Sequence, residues 1–205
     1  MRVAILGGTG AFGCALAKRL HALGEEVTIG SRSADRAREL AAVIGVQGAA
    51  NGDAAADADL VVLSVPSSAA EPMARKLADE IGETPLLCVA SELSFTDNGV
   101  EPGREYKSLA ESVAELVQSP VASGFQTLAA VRLAQHEPSD EDVLVCGEDP
   151  AKQLGLDIGA RLVAGRAIDA GPLASSRGLE GMTAVLLNVN KRYRVHAGLR
   201  ITGLP

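Results

Sequence analysis

An α/β fold, a doubly wound parallel sheet with a small C-terminal lobe, is what this 205-residue sequence predicts, on three observations. Strand-type and helix-type stretches alternate along the chain, as a parallel sheet with helical crossovers requires. The strand-type stretches, such as Leu60-Val61-Val62-Leu63, are apolar without alternation, the pattern of strands buried on both faces. The first of them turns through Gly8-Thr9-Gly10-Ala11-Phe12-Gly13 straight into a helix, which is the G-x-G-x-x-G fingerprint in its required setting. Together they make the fold Rossmann-type.

Val3 to Leu6 is the first buried strand, and Cys14 to Leu20 belongs to the helix after it. Gly8 permits the tight turn between them, Gly10 lets the backbone approach a pyrophosphate, and Gly13 allows helix and strand to pack closely. The free N–H groups and positive dipole end of that helix would hold the phosphates. Gly24 to Gly30 reads as a turn and second strand, ending in Ser31-Arg32. An NAD site places Asp or Glu at this strand end for the ribose 2′-hydroxyl. Here there is no carboxylate. Arg32 can fork onto a phosphate, Ser31 can donate a hydroxyl, and Arg36 lies one helical turn further on. Bases in a first helical turn are disfavoured by the dipole unless an anion sits there, so NADP is the expected cofactor.

Ser33 to Val43 is an amphipathic helix capped by Ser33, Gly45 to Gly48 a short third strand, and Asp59 to Pro66 contains the fourth. Ala69 to Ile81 reads as one helix, Thr84 to Val89 as a fifth strand and Leu109 to Gln118 as helix. Ser119 to Ala122 starts another strand, Asp142 to Cys146 is a further one, Ala151 to Val163 a helix and Ala167 to Asp169 a late strand. Ser91 to Arg104, holding Asp97-Asn98-Gly99 and Pro102-Gly103, and His136 to Asp142 read as loops. The expected division is a nucleotide-binding domain over residues 1–170 and a small helical lobe over 171–205, to which 120–135 contributes. Ligands of such a sheet bind beyond the carboxyl ends of its strands, where the strand order reverses. Ser64-Val65-Pro66-Ser67-Ser68 is then the rim of a nicotinamide pocket, with Pro66 fixing the backbone.

The formal net charge of −7 and the sequence pI near 5.0 argue against nucleic acid or an anionic membrane surface as partner. No apolar run approaches the roughly 20 residues that span a bilayer, and a strand that begins at once leaves no signal peptide before it. A cytoplasmic location is expected. Cys14, Cys88 and Cys146 are odd in number and far apart, and His21, His136 and His196 share no ligand spacing, so neither a disulfide nor a metal site is expected. No Ser/His/Asp, Cys/His or paired-carboxylate arrangement is evident, and no catalytic side chain is assigned.

The pieces G-G-T-G-x-x-G (Gly7 to Gly13), G-S-R (Gly30 to Arg32), V-P (Val65-Pro66), C-G-E-D (Cys146 to Asp149) and D-A-G-P-L-x-x-S-R (Asp169 to Arg177) occur in this order. With them nearly the whole chain resembles the F420-dependent NADP reductases, small enzymes that pass hydride between NADPH and a 5-deazaflavin coenzyme. The resemblance implies that Thr9, Gly10, Ala11 and Phe12 line the pyrophosphate, that Ser31, Arg32 and Arg36 meet the 2′-phosphate, and that Val65 and Pro66 flank the nicotinamide beside Ser64. It also implies a small lobe, built partly from the helix after Gly171, that closes over the deazaflavin. The apolar run Met182 to Leu187 of that helix could equally form the face of a homodimer or belong to the core.

Two departures touch the acceptor side. Ser67 stands where the family carries an aromatic residue, and the family's H-T-I-P-A segment is here Gln126-Thr127-Leu128-Ala129-Ala130. By the resemblance, Gln126 and Ala129 are the positions of that segment expected to face the cofactors. Gln126 can offer an amide donor and acceptor to a ring, but not the proton a histidine could carry. Hydride transfer between two rings is chemistry the cofactors carry, with the protein supplying orientation and a dry site. Two other functions stay open: an NADPH-dependent reductase of a small imine or activated alkene, needing a proton donor near Ser67, Gln126 or Tyr193, and a non-catalytic NADP(H)-binding protein.

Overall fold

The structure is a computed structural model that describes residues 1–135 and 137–204. His136, which opens one expected loop and is one of the three histidines weighed for ligand spacing, lies outside the described residues. β1 (Arg2–Leu6) sends Val3 and Ile5 to one face of the sheet and Ala4 and Leu6 to the other, all at most 1% exposed. Burial on both faces is why this run is apolar throughout, and full burial of each Val, Ile or Leu stabilises by about 1.5–3 kcal/mol.

α1 (Ala11–Ala22), β2 (Glu26–Ser31), α2 (Ala34–Ile44) and β3 (Gln47–Ala50) extend the sheet to one side, with β2 parallel to both β1 and β3. Ser33 caps α2 by accepting the Arg36 N–H at 3.3 Å, and left-handed Gly45 ends the helix. Gly45 therefore closes a helix, and the third strand starts at Gln47, two residues later than expected. α3 (Asn51–Ala56), a short element that the sequence reading missed, leads to β4 (Leu60–Leu63) on the other side of β1. The single helix expected over Ala69 to Ile81 is α4 (Ser67–Lys76) and α5 (Ala78–Ile81), interrupted at Leu77.

β5 (Leu86–Cys88) is followed by a second departure. The stretch expected to be a loop is a hairpin, β6 (Leu93–Thr96) and β7 (Gly99–Pro102), turning on Asp97-Asn98. α6 (Leu109–Ala114) carries a capping box in which Ser108 and Glu111 satisfy each other's backbone N–H groups. β8 (Val121–Gly124), α7 (Ala130–Leu133), β9 (Val143–Gly147), α8 (Ala151–Leu162) and β10 (Ala167–Asp169) complete the sheet. A 3-10 turn at Leu173–Ser175 then leads into α9 (Ser176–Tyr193).

The strand order is β10-β9-β8-β5-β4-β1-β2-β3, so the direction of winding reverses between β1 and β4. α1, α2, α7 and α8 cover one face of the sheet, and α3 to α6 the other. The expected doubly wound parallel sheet is mostly parallel, with one antiparallel pairing: β9 runs antiparallel to β8, and β10 is parallel to β9. A parallel return needs a crossover long enough to carry the chain back along the sheet. The 18 residues between β8 and β9 are enough for a crossover, but the helix described among them has four residues, a rise of about 6 Å, and the chain re-enters the sheet in the opposite sense.

Among the described residues, those beyond α9 are not helical. They return to the start of β9, where buried Asp142 accepts from Ile201 N (2.8 Å) and from the Arg166 guanidinium (2.9 Å). The Arg166 guanidinium and these N–H groups hold the Asp142 carboxyl well below the usual carboxylate range.

Candidate dinucleotide site and acceptor wall

The carboxyl ends of β1 and β4 meet at Gly7, which is left-handed (φ 77°) and so close to β4 that a side chain there would meet the Ser64 carbonyl at 2.5 Å. Gly13 is crowded in the same way: an added Cβ would lie 2.7 Å from the Gly8 Cα, so α1 can approach the bend only without one. Gly10 is the N-cap of α1, in extended conformation and with no side-chain cap. Its first turn carries no acidic residue, and the N–H groups of Ala11, Phe12 and Gly13 have no partner within the helix. That end of α1 is built to receive an anion.

A cavity of about 650 Å³ opens here. It brings together Thr9, Gly10, Ala11, Phe12, Gly13, Ser31, Arg32, Arg36, Ser64, Val65 and Pro66. Gly8 lies beneath the bend, donating its N–H to Ile5 O (3.0 Å) and Gly30 O (3.1 Å), and it is outside the lining, as are Gln126 and Ala129. A somewhat larger cavity, about 720 Å³, lies at the amino ends of β1 and β2 among Glu25, Glu26 and Asp57. The reversal of strand order and the glycine bend favour the first.

The lining adds residues that the sequence reading missed, Asn51 above all. Its Oδ1 accepts the Gly7 N–H at 3.3 Å, and its side chain fills the space where a Gly30 Cβ would stand. The available signal was a single amide among small residues directly after a strand. Asn51 also lines an adjoining cavity of about 620 Å³ that shares Ser31, Arg32 and Met73 with the first.

The charge at the end of β2 rests on different grounds from those expected. Arg32 precedes the Ser33 cap rather than standing inside the helix, and the first turn of α2 does carry an acid, Asp35. Asp35 faces away from the cavity and pairs with Arg38 (2.9 Å). The dipole argument therefore loses weight. What favours a 2′-phosphate is that Ser31, Arg32 and Arg36 line the same cavity as the bend, with no carboxylate on that lining.

The residues expected on the acceptor side follow the carboxyl ends of β5 and β8. Phe125, fully buried, is left-handed (φ 71°), a conformation that costs a bulky residue on the order of 1–3 kcal/mol. The strained turn directs Gln126, 9% exposed, back onto the sheet. Its amide NH₂ donates to Cys88 O (3.2 Å) and Ser123 Oγ (2.6 Å), leaving Oε1 buried without a partner among the described residues. The side chain expected to meet a ring is thus engaged inside the protein. Ala129 is the N-cap of α7, its carbonyl accepting from Arg132 and Leu133. Above this turn, the Thr183 hydroxyl of α9 donates to the Gln126 carbonyl (3.2 Å) and lies 3.3 Å from Ser91 Oγ. Among the described residues, no helix is long and apolar enough to cross a membrane, and no group of three or more His, Cys, Asp or Glu could hold a metal ion.

Fold and cleft together define a Rossmann-type dinucleotide-binding protein. The family profile described as NADP oxidoreductase, coenzyme F420-dependent, matches residues 2–90. An F420-dependent NADP reductase of Methanothermobacter thermautotrophicus is 35% identical over 100% of this chain and 96% of its own length. The F420-dependent NADP reductase of Methanocaldococcus jannaschii is 36% identical, covering 100% and 99%. A crystal structure of a candidate F420-dependent NADP reductase from Arthrobacter sp. FB24 has the same fold, with a TM-score of 0.86 over 99% of this chain and 100% of that one, at 24% identity. The chain belongs to the F420-dependent NADP reductase family.

Proposed function

We infer that this protein is an oxidoreductase that transfers hydride between NADP(H) and coenzyme F420. The observation that carries the reading is that one cavity unites the uncapped α1 terminus, the Ser31-Arg32-Arg36 cluster and the Ser64-Val65-Pro66 rim, in a chain similar over its full length to enzymes of that activity. The bound nicotinamide supplies the hydride chemistry, and the chain's residues bind and orient.

In the proposed arrangement Thr9, Gly10, Ala11, Phe12 and Gly13 hold the pyrophosphate on backbone N–H groups, over the turn that Gly8 supports. Ser31, Arg32 and Arg36 hold the 2′-phosphate. Ser64, Val65 and Pro66 form the wall against which the nicotinamide lies, next to Val89 and Ala90. Gln126 and Ala129 belong to the acceptor wall, Gln126 bracing it through Cys88 and Ser123. Orienting two rings face to face can contribute on the order of 7–11 kcal/mol without an acid or base. Mixing the protein with NADPH and F420 under anaerobic conditions should therefore abolish the deazaflavin absorbance as NADPH is oxidised. Tight NADPH binding with no absorbance change at any pH would overturn the reading.

Both substrates are water-soluble, and the proposed compartment is the cytoplasm. We further propose a homodimer through the outward face of α9, where Val185 is 54% and Tyr193 66% exposed. Sedimentation should give twice the chain mass, and Val185→Glu should return it to the monomer.

A further inference from the structure

The first half of α9 is fastened to the rest of the molecule by polar groups. Ser176 Oγ lies 2.6 Å from Ser108 Oγ, and Arg177 pairs with Glu111 of α6 (2.5 Å). Between them Glu180, only 4% exposed, accepts from the N–H groups of Leu109 (2.9 Å) and Ala110 (3.3 Å) through one carboxylate oxygen. One turn further along α9, Thr183 reaches the Gln126 carbonyl and Ser91, at the ends of β8 and β5. Where Glu180 sits therefore sets where this part of the acceptor wall sits.

Glu180 also lines a cavity of about 220 Å³ between the base of the hairpin and α6, into which its carboxylate could turn. The titratable and charged groups around it, among the described residues, are Glu92 ahead of β6, Arg104, Glu105 and Lys107 ahead of α6, Glu111 on α6, Arg177 on its own helix, and the buried thiols of Cys88 on β5 and Cys146 on β9. The three cations are committed elsewhere: Arg104 to Glu71, Glu92 and Ser112, Lys107 to Glu115, and Arg177 to Glu111. The closest partners Glu180 has are backbone N–H groups.

We propose that Glu180 is a positioning residue for the acceptor: seated on Leu109 and Ala110, it holds α9 against the turn at Gln126, and it releases that seat when its charge is drawn into the adjoining cavity. Burial raises the Glu180 carboxyl above its ordinary value, against weaker opposition from the N–H groups and Arg104. The sign follows by linkage. A seat in which an acid has a raised pKa binds protons better than the open form, so it is firmest at acid pH and loosens as pH rises through that raised value.

The proposal rests on the F420 reading, and its test separates the two. Glu180→Ala removes the acceptor and should raise the KM for F420 at least tenfold, with the KM for NADPH changed less than twofold. Glu180→Gln keeps an oxygen for both N–H groups and loses the titration. It should show the low KM of the wild-type protein at acid pH and abolish the wild-type rise of that KM with pH. Equal shifts in both KM values for the Ala variant, no shift in either, or a pH dependence that survives in the Gln variant would overturn the proposal while leaving the F420 reading intact. Should the wild-type protein reduce no F420, that reading falls and amide exchange decides the seat. Protection of Leu109 and Ala110 must then fall in the Ala variant and persist in the Gln variant, and unchanged protection in the Ala variant overturns it.

Discussion

Replacement of Arg32 by alanine is expected to weaken NADPH binding by roughly 10- to 100-fold, the loss of a charge-assisted hydrogen-bonding partner, while NADH binding stays within about twofold. Arg32 stands one residue beyond β2 and lines the cavity that begins at the glycine bend. A phosphate ester on the adenosine ribose is the group that would reach it. Ser31 and Arg36 remain in the variant, so some preference for NADPH persists, and Arg32→Ala/Arg36→Ala should remove most of it. Calorimetric titration with each nucleotide measures the difference. Equal weakening of NADPH and NADH would mean that this guanidinium does not read the extra phosphate.

Gly13→Ala should have the larger effect on binding as a whole. The new methyl group would stand 2.7 Å from the Gly8 Cα and 3.2 Å from the Gly7 carbonyl oxygen, and both neighbours are backbone. No side chain can rotate aside. Overpacking of this kind costs typically 1–3 kcal/mol, and relief requires α1 to withdraw from the bend, which moves the anion-binding N–H groups. NADPH and NADH affinity should fall together, by roughly 100-fold at the upper end of that range, with a lowered melting temperature. Gly178→Ala on α9 is the control, since an added Cβ there meets nothing within 4 Å. It should leave nucleotide affinity unchanged, and a comparable loss in that variant would show that the Gly13 effect is not local.

The nucleotide half of the molecule was legible in the sequence because local chemistry and tertiary role coincide there. The apolar run of β1 is buried on both faces, the glycines sit where two elements cross, and Ser33 caps the helix it precedes. The remainder was less legible for identifiable reasons. The strands of the β6–β7 hairpin have four residues each, and most of their side chains are exposed, so they give no periodic signal. The sense of β9 depends on what connects it to β8, which no strand pattern reports. Helix α9 reads as apolar through Met182 to Leu187, yet Ser176, Arg177, Glu180 and Thr183 do much of the fastening. Gln126 stood out in the sequence as a candidate for the acceptor side, but its direction comes from the left-handed turn at Phe125, which a non-glycine residue does not announce.

Asn188 has an effect that bears on how the chain is made. Its amide accepts the Val100 N–H at 2.9 Å and donates to the Val100 carbonyl at 2.7 Å, so one side chain of α9 occupies the place of another strand beside β7. During synthesis Val100 leaves the ribosome 88 residues before Asn188 does. Throughout that interval this border of the hairpin carries unmatched hydrogen-bonding groups, with the exposed ring of Phe95 on the neighbouring strand. A nascent or truncated chain lacking α9 is therefore open to sticking to its own kind through backbone groups of Val100 that Asn188 pairs in the finished molecule.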